Sequence, residues 1–128
     1  MQGGAIASTV GHDSHNLIAV GDNDQDIYAA IRALEDCGGG YAVVESGKSP
    51  VVLPLEVMGL MSNAPYESVQ TQLADMIAIA RRIGVPEYLD PFITLSFLAL
   101  PVIPELRITP RGLYNVIEGC FTSVDMKG

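Results

Sequence analysis

Residues 4–25 read Gly4-Ala5-Ile6-Ala7-Ser8-Thr9-Val10-Gly11-His12-Asp13-Ser14-His15-Asn16-Leu17-Ile18-Ala19-Val20-Gly21-Asp22-Asn23-Asp24-Gln25. Small and β-branched residues after a glycine pair make Gly4 to Val10 a strand. Gly11 to Asn16 breaks it with polar residues, and Leu17 to Val20 is a second short apolar strand, closed by Gly21. Asp22 then opens a helix: it is a good N-cap residue, and Gln25 stands at the reciprocal capping position. The acids of this first turn suit the positive end of the helix dipole. Ile27, Ala30, Ile31 and Leu34 follow at helical spacing and predict one buried stripe. Gly38 ends the helix, because glycine readily takes a positive φ.

Outward from this stretch, Tyr41 to Glu45 is a strand, Ser46 to Ser49 a turn, and Val51 to Leu55 the hairpin partner. Pro50 and Pro54 need positions without a ladder bond, which predicts an edge strand. A second helix starts near Ser62-Asn63-Ala64-Pro65, with Asn63 or Ser62 as cap and Pro65 in the first turn. Val69, Leu73, Met76, Ile77, Ala80 and Ile83 form its apolar face, and Gly84 stops it. Phe92 to Leu100 fits a buried helix or a buried strand equally. Leu106 to Thr109 is a strand, Pro110-Arg111-Gly112 a turn, and Leu113 to Val124 a closing segment. Strands and helices intermix, so the class is α/β (mixed α+β): a single small domain with a mixed sheet flanked by helices.

Composition narrows the function. The chain has 128 residues, 48% hydrophobic and 17% charged, which suits one packed core. Its formal net charge is −8, with only 7 Lys and Arg in no cluster. A nucleic-acid binder needs a basic stripe, and an anionic membrane surface the same, so neither is an expected partner. No signal peptide opens the chain, and the longest apolar run is too short and interrupted to span a bilayer. Cys37 and Cys120 lack a C-x-x-C spacing, so reduced thiols in the cytoplasm are the default. High apolar content for the charge present, together with a sheet edge, predicts a homo-oligomer.

Both histidines lie in the hexapeptide Gly11-His12-Asp13-Ser14-His15-Asn16. His12, Asp13 and His15 could ligate one divalent metal, or the segment could be a polar turn whose Asp and Ser bond their own backbone. Ser14 lacks the G-x-S-x-G elbow of a serine hydrolase. Gly38-Gly39-Gly40 follows a helix rather than opening one, so it reads as a helix stop and turn, not a phosphate cradle. The residues alone present no complete active site.

Several strings together resemble one family. They are Gly4-Ala5-Ile6-Ala7-Ser8 running into His12-Asp13-Ser14-His15-Asn16, then Gly59-Leu60-Met61-Ser62, then Asp90-Pro91-Phe92 with Leu95 through Leu106. The pattern is similar to the C-terminal domain of bacterial and archaeal adenine deaminases, in the amidohydrolase superfamily. The resemblance covers nearly the whole chain. It implies a parent enzyme that hydrolyses adenine to hypoxanthine and ammonia on a (β/α)₈ barrel with a divalent metal centre (Mn, Fe or Zn). It also implies an amidohydrolase barrel domain or subunit as partner. No barrel metal motif is present, so no catalytic residue of the family is expected in this chain. The family's domain is expected to begin upstream of the Gly-Ala-Ile-Ala-Ser strand, so residues 1–128 are expected to be one domain truncated at its N-terminus. The alternative is a stand-alone module that binds a metal or small molecule without deaminase activity.

Overall fold

In a computed structural model, which describes residues 1–125, two antiparallel sheets and three helices make an α+β domain. The main sheet contains β1 (Gly4–Ser8), β2 (Ile18–Gly21), β3 (Gly40–Glu45) and β4 (Val51–Pro54) in the order β2-β1-β3-β4. Helix α1 (Asp24–Cys37) joins β2 to β3. After β4 come α2 (Tyr66–Arg82) and α3 (Pro91–Leu98), and then a separate meander of β5 (Leu106–Thr109), β6 (Gly112–Asn115) and β7 (Cys120–Thr122). The α+β class and the flanking helices are as expected. The strand directions are a correction: every pairing is antiparallel, so neither sheet is mixed.

β1 is buried along all five residues because it lies between β2 and β3 with helices on both faces. Side chains alternate across a strand. Ala5 and Ala7 therefore meet α1 through Ala30 and Leu34, beside Ala42 and Val44 of β3. Ile6 points the other way, into a core with Val43, Leu53, Met76, Ala80, Phe92 and Leu95. The alanine face admits a helix backbone at close range, whereas the opposite face takes larger side chains from two helices. β4 forms an edge, as its prolines require. Gln72 of α2 reaches that edge and donates to the Val52 carbonyl at 2.8 Å.

Two helix starts differ from the sequence reading. Asn23, not Asp22, caps α1, its side chain accepting from the Asp26 amide at 2.9 Å. Asp22 instead turns back to the first strand and accepts from the amides of Gly3 at 2.5 Å and Gly4 at 3.1 Å. It thereby clips the end of β2 to the start of β1. Gln25 has no reciprocal cap to make, because the cap sits one residue later than expected. Neither Ser62 nor Asn63 caps α2. Pro65 takes the N-cap place without a side-chain bond, while the Ser62 hydroxyl accepts from Ala64 and the Asn63 amide bonds Glu56. Gly38 closes α1 in the left-handed conformation at φ 80°, as expected. The ambiguous Phe92 segment is helical. Asp90 caps it, accepting from Phe92 and Ile93, with Pro91 in the first turn.

Two tests follow from this packing. Ala7→Leu should lower the unfolding free energy by about 1–3 kcal/mol, through overpacking against α1. The urea midpoint should fall with an unchanged slope; an unchanged midpoint would show that the face has room. The second concerns Asp22, whose carboxyl is held below its ordinary value, first by the Gly3 amide and then by the Gly4 amide. Its contribution should be full above the ordinary carboxylate value and fade as pH falls through the lowered one. The stability gap between wild type and Asp22→Asn should therefore shrink on acidification, and a gap constant from pH 7 to pH ~2 would contradict the clip.

Candidate functional site

The loop between β1 and β2 carries both histidines, and α3 holds it in place. The His12 amide donates to the Ser96 carbonyl at 3.0 Å. The His12 ring lies against Phe97, with centroids 5.0 Å apart and planes tilted by 33°. Both partners come from the last turn of α3, some eighty positions along the chain. The loop closes on itself as well: the Gly11 amide donates to His15 Nδ1 at 3.3 Å, and the Asn16 amide to the Ser14 carbonyl at 2.9 Å. With Nδ1 accepting, a neutral His15 carries its proton on Nε2. Gly11 is buried and packed so tightly that a Cβ there would stand 2.3 Å from the Ser14 carbonyl oxygen. Only glycine fits that turn without movement.

His12, Asp13, Ser14 and His15 are all exposed. His12, Asp13 and Ser14 line a hollow of about 130 Å³ whose other wall is Ser96, Leu100 and Pro101. The hollow thus joins the loop to the end of α3. The chain bends over His12–Ser14, as a shared site would need. Among the described residues, no three His, Cys, Asp or Glu side chains are placed to hold a metal ion, and His12, Asp13 and His15 are among those residues. One His15 nitrogen is occupied by Gly11, and the His12 ring is laid on Phe97. The loop offers an imidazole, a carboxylate and a hydroxyl to solvent as separate hydrogen-bonding groups.

Other polar groups serve the fold. Buried Asp26, inside the first turn of α1, accepts from Asn23 and from the Ser46 hydroxyl. Glu45 is held below its ordinary value, first by Lys48 and then by Arg82. The Arg82 bond, at 3.0 Å, ties the end of α2 to β3. Thr9 accepts from the Gly40 amide and donates to the Gly59 carbonyl, both at 2.8 Å. The sequence reading assigned Thr9, Ser96 and Phe97 no part in positioning the loop. The Gly59 string and the run from Leu95, which contains Ser96 and Phe97, were named for their resemblance alone. No described helix is long and apolar enough to cross a membrane.

An antiparallel sheet covered by helices on both faces, with a rigidly anchored His-bearing loop at one end, defines a small α+β domain that presents polar groups at its surface. The comparisons make the class specific. The family model described as the adenine deaminase C-terminal domain matches residues 1–120. The chain is 49% identical over 118 residues to an adenine deaminase of Desulfitobacterium hafniense (strain Y51), covering 92% of the chain and 21% of the relative. It is 50% identical over 118 residues to one of Halalkalibacterium halodurans, covering 92% and 20%, and 52% identical over 116 residues to one of Desulfatibacillum aliphaticivorans, covering 91% and 20%. The chain belongs to the adenine deaminase C-terminal domain family. It spans about a fifth of the length of these curated relatives.

His15→Ala should free the Gly11 amide without unfolding the domain, because one such partly buried bond contributes about 0.5–1.5 kcal/mol. Amide exchange at Gly11, followed by NMR, should accelerate while the core amides of β1 hold. Gly11→Ala should disturb His12 and His15 together. Unchanged resonances for both rings in that variant would refute the tight turn.

Proposed function

We propose that this chain works as the C-terminal domain of a metal-dependent adenine deaminase, an enzyme of purine metabolism that hydrolyses adenine to hypoxanthine and ammonia. The observation that supports this reading is the match of nearly the whole chain to that domain family, at about 50% identity to proteins named adenine deaminase. The metal centre and the amidohydrolase barrel belong, in this reading, to the four-fifths of the relatives that the chain does not cover. His12, Asp13 and His15 then act as hydrogen-bonding groups presented toward the catalytic domain or its purine, rather than as a ligand set. Their exposure and the anchoring by α3 both favour that role. A purine carries ring nitrogens and an amine, which an imidazole and a carboxylate complement as donors and acceptors.

The chain by itself should release no ammonia from adenine, and a polypeptide joining it to the catalytic barrel should. In that longer enzyme, His12→Ala should lower kcat/KM about tenfold, the loss of one ~1.4 kcal/mol interaction. Metal content should stay unchanged. Ammonia release by the chain alone would defeat the reading, and a loss of bound metal in His12→Ala would restore the ligand role.

A further inference from the structure

The meander β5–β7 lacks a core. No residue from 101 to 125 is buried, although the segment contains a complete three-stranded antiparallel sheet. Such a sheet needs an apolar face against something to be stable in water. Among the described residues, the hydrogen bonds of 104–125 stay within that segment. The one buried side-chain polar atom left without a partner there, Arg107 Nε, also lies in β5. Six of the fifteen large exposed hydrophobic residues fall here: Val102, Leu106, Ile108, Ile117, Phe121 and Val124. Polar surface would not concentrate them in a fifth of the chain.

Charge divides in the same way. Residues 1–100 carry twelve acidic and four basic side chains, a net of −8, whereas residues 101–128 carry three of each. Residues 101–128 therefore carry no net charge beside a strongly acidic body.

The meander also adjoins the His-bearing loop. Pro101 lines both the hollow beside His12 and a second hollow with Thr109, Pro110, Tyr114 and Phe121. A third hollow connects Asn16 and Leu17 to Ile108 through Ala99. One end of the domain thus presents a polar loop and an uncovered apolar sheet side by side.

We propose that this end, the β5–β7 meander with the His12–Asn16 loop, is the surface that docks on the catalytic domain. The inference rests on the reading of the chain as the C-terminal domain of a longer adenine deaminase. The occupant follows from length and charge: the curated relatives carry about four times as much additional chain, and a second copy would bring two bodies of net −8 together. Docking would cover Ile108 and Phe121 and turn His12 toward the catalytic domain in the same movement.

The test uses the full-length enzyme that carries this chain. Hydrogen exchange, read segment by segment, should show residues 106–115 protected in the wild type and exchanging about tenfold faster in Ile108→Glu. Tyr88→Glu, exposed before the first turn of α3 and so at the far end of that helix from the meander, should leave this protection unchanged. Deaminase activity should fall in Ile108→Glu and not in Tyr88→Glu. Unprotected 106–115 in the wild type would overturn the proposal, as would equal behaviour of the two variants. Protection that rises with enzyme concentration would assign the surface to a second copy and also overturn it. Exchange reports docking whether or not ammonia is released: a protected meander in a protein inactive on adenine defeats the substrate reading and leaves the docking surface standing.

Discussion

The structure depends on β1 being covered from four directions. β2 and β3 saturate its backbone on either side, α1 lies on one face, and α2 and α3 lie on the other. A five-residue strand in that position has no solvent-facing side, so every residue must suit its own neighbour. Ala5 and Ala7 set how near α1 approaches, and Ile6 fills space between helices that the alanines would leave open. Asp22 adds an electrostatic closure at the strand's start, where two backbone amides would otherwise face solvent.

That core also decides where the chemistry-bearing loop can be. The loop leaves β1 directly after its last buried residue, Ser8, and returns to pair as β2. Its position is therefore inherited from the most constrained strand of the molecule. The last turn of α3 then fixes its orientation through the Ser96 carbonyl and the Phe97 ring. Because α3 itself packs through Phe92 and Leu95 into the same core as Ile6, loop and helix share one foundation. A hydrogen-bonding group mounted in this way loses little orientational freedom on binding, which favours precise presentation to a partner or substrate.

The meander is the counterpart to this rigidity. It follows α3 after Leu100, the last buried residue in the chain order described, and nothing beyond it enters either core. Its local geometry is regular: Tyr114 and Phe121 stack edge to face at 5.3 Å, and Arg111 sits over the Phe121 ring at 5.0 Å. Cross-strand aromatic pairing of this kind orders a small sheet but does not bury it. The domain therefore has one half that is stable through its own packing and one end whose apolar surface is uncovered.

Much of this was legible in the residues. Apolar alternation and glycine punctuation located every strand of the main sheet, the 3.6-residue stripe of Ile27, Ala30, Ile31 and Leu34 located α1, and the two prolines around Val51–Leu53 marked an edge. The long string from Asp90 through Leu106 identified the family, because its order of residues is specific even where its secondary structure was ambiguous. What stayed undecided were features that depend on partners distant in sequence. Asp22 and Asn23 are both good caps, and only the proximity of Gly3 and Gly4 draws Asp22 away. Phe92–Leu98 is helical because Asp90 can cap it and because its apolar side fits against Ile6, neither of which periodicity reports. His12, Asp13 and His15 sit within four positions of one another, a spacing compatible with shared ligation, yet tertiary contacts with Phe97 and Gly11 send the rings to separate partners. Local pattern specifies which segments form and which face is apolar; which polar atoms meet is set by elements that approach only after the core has closed.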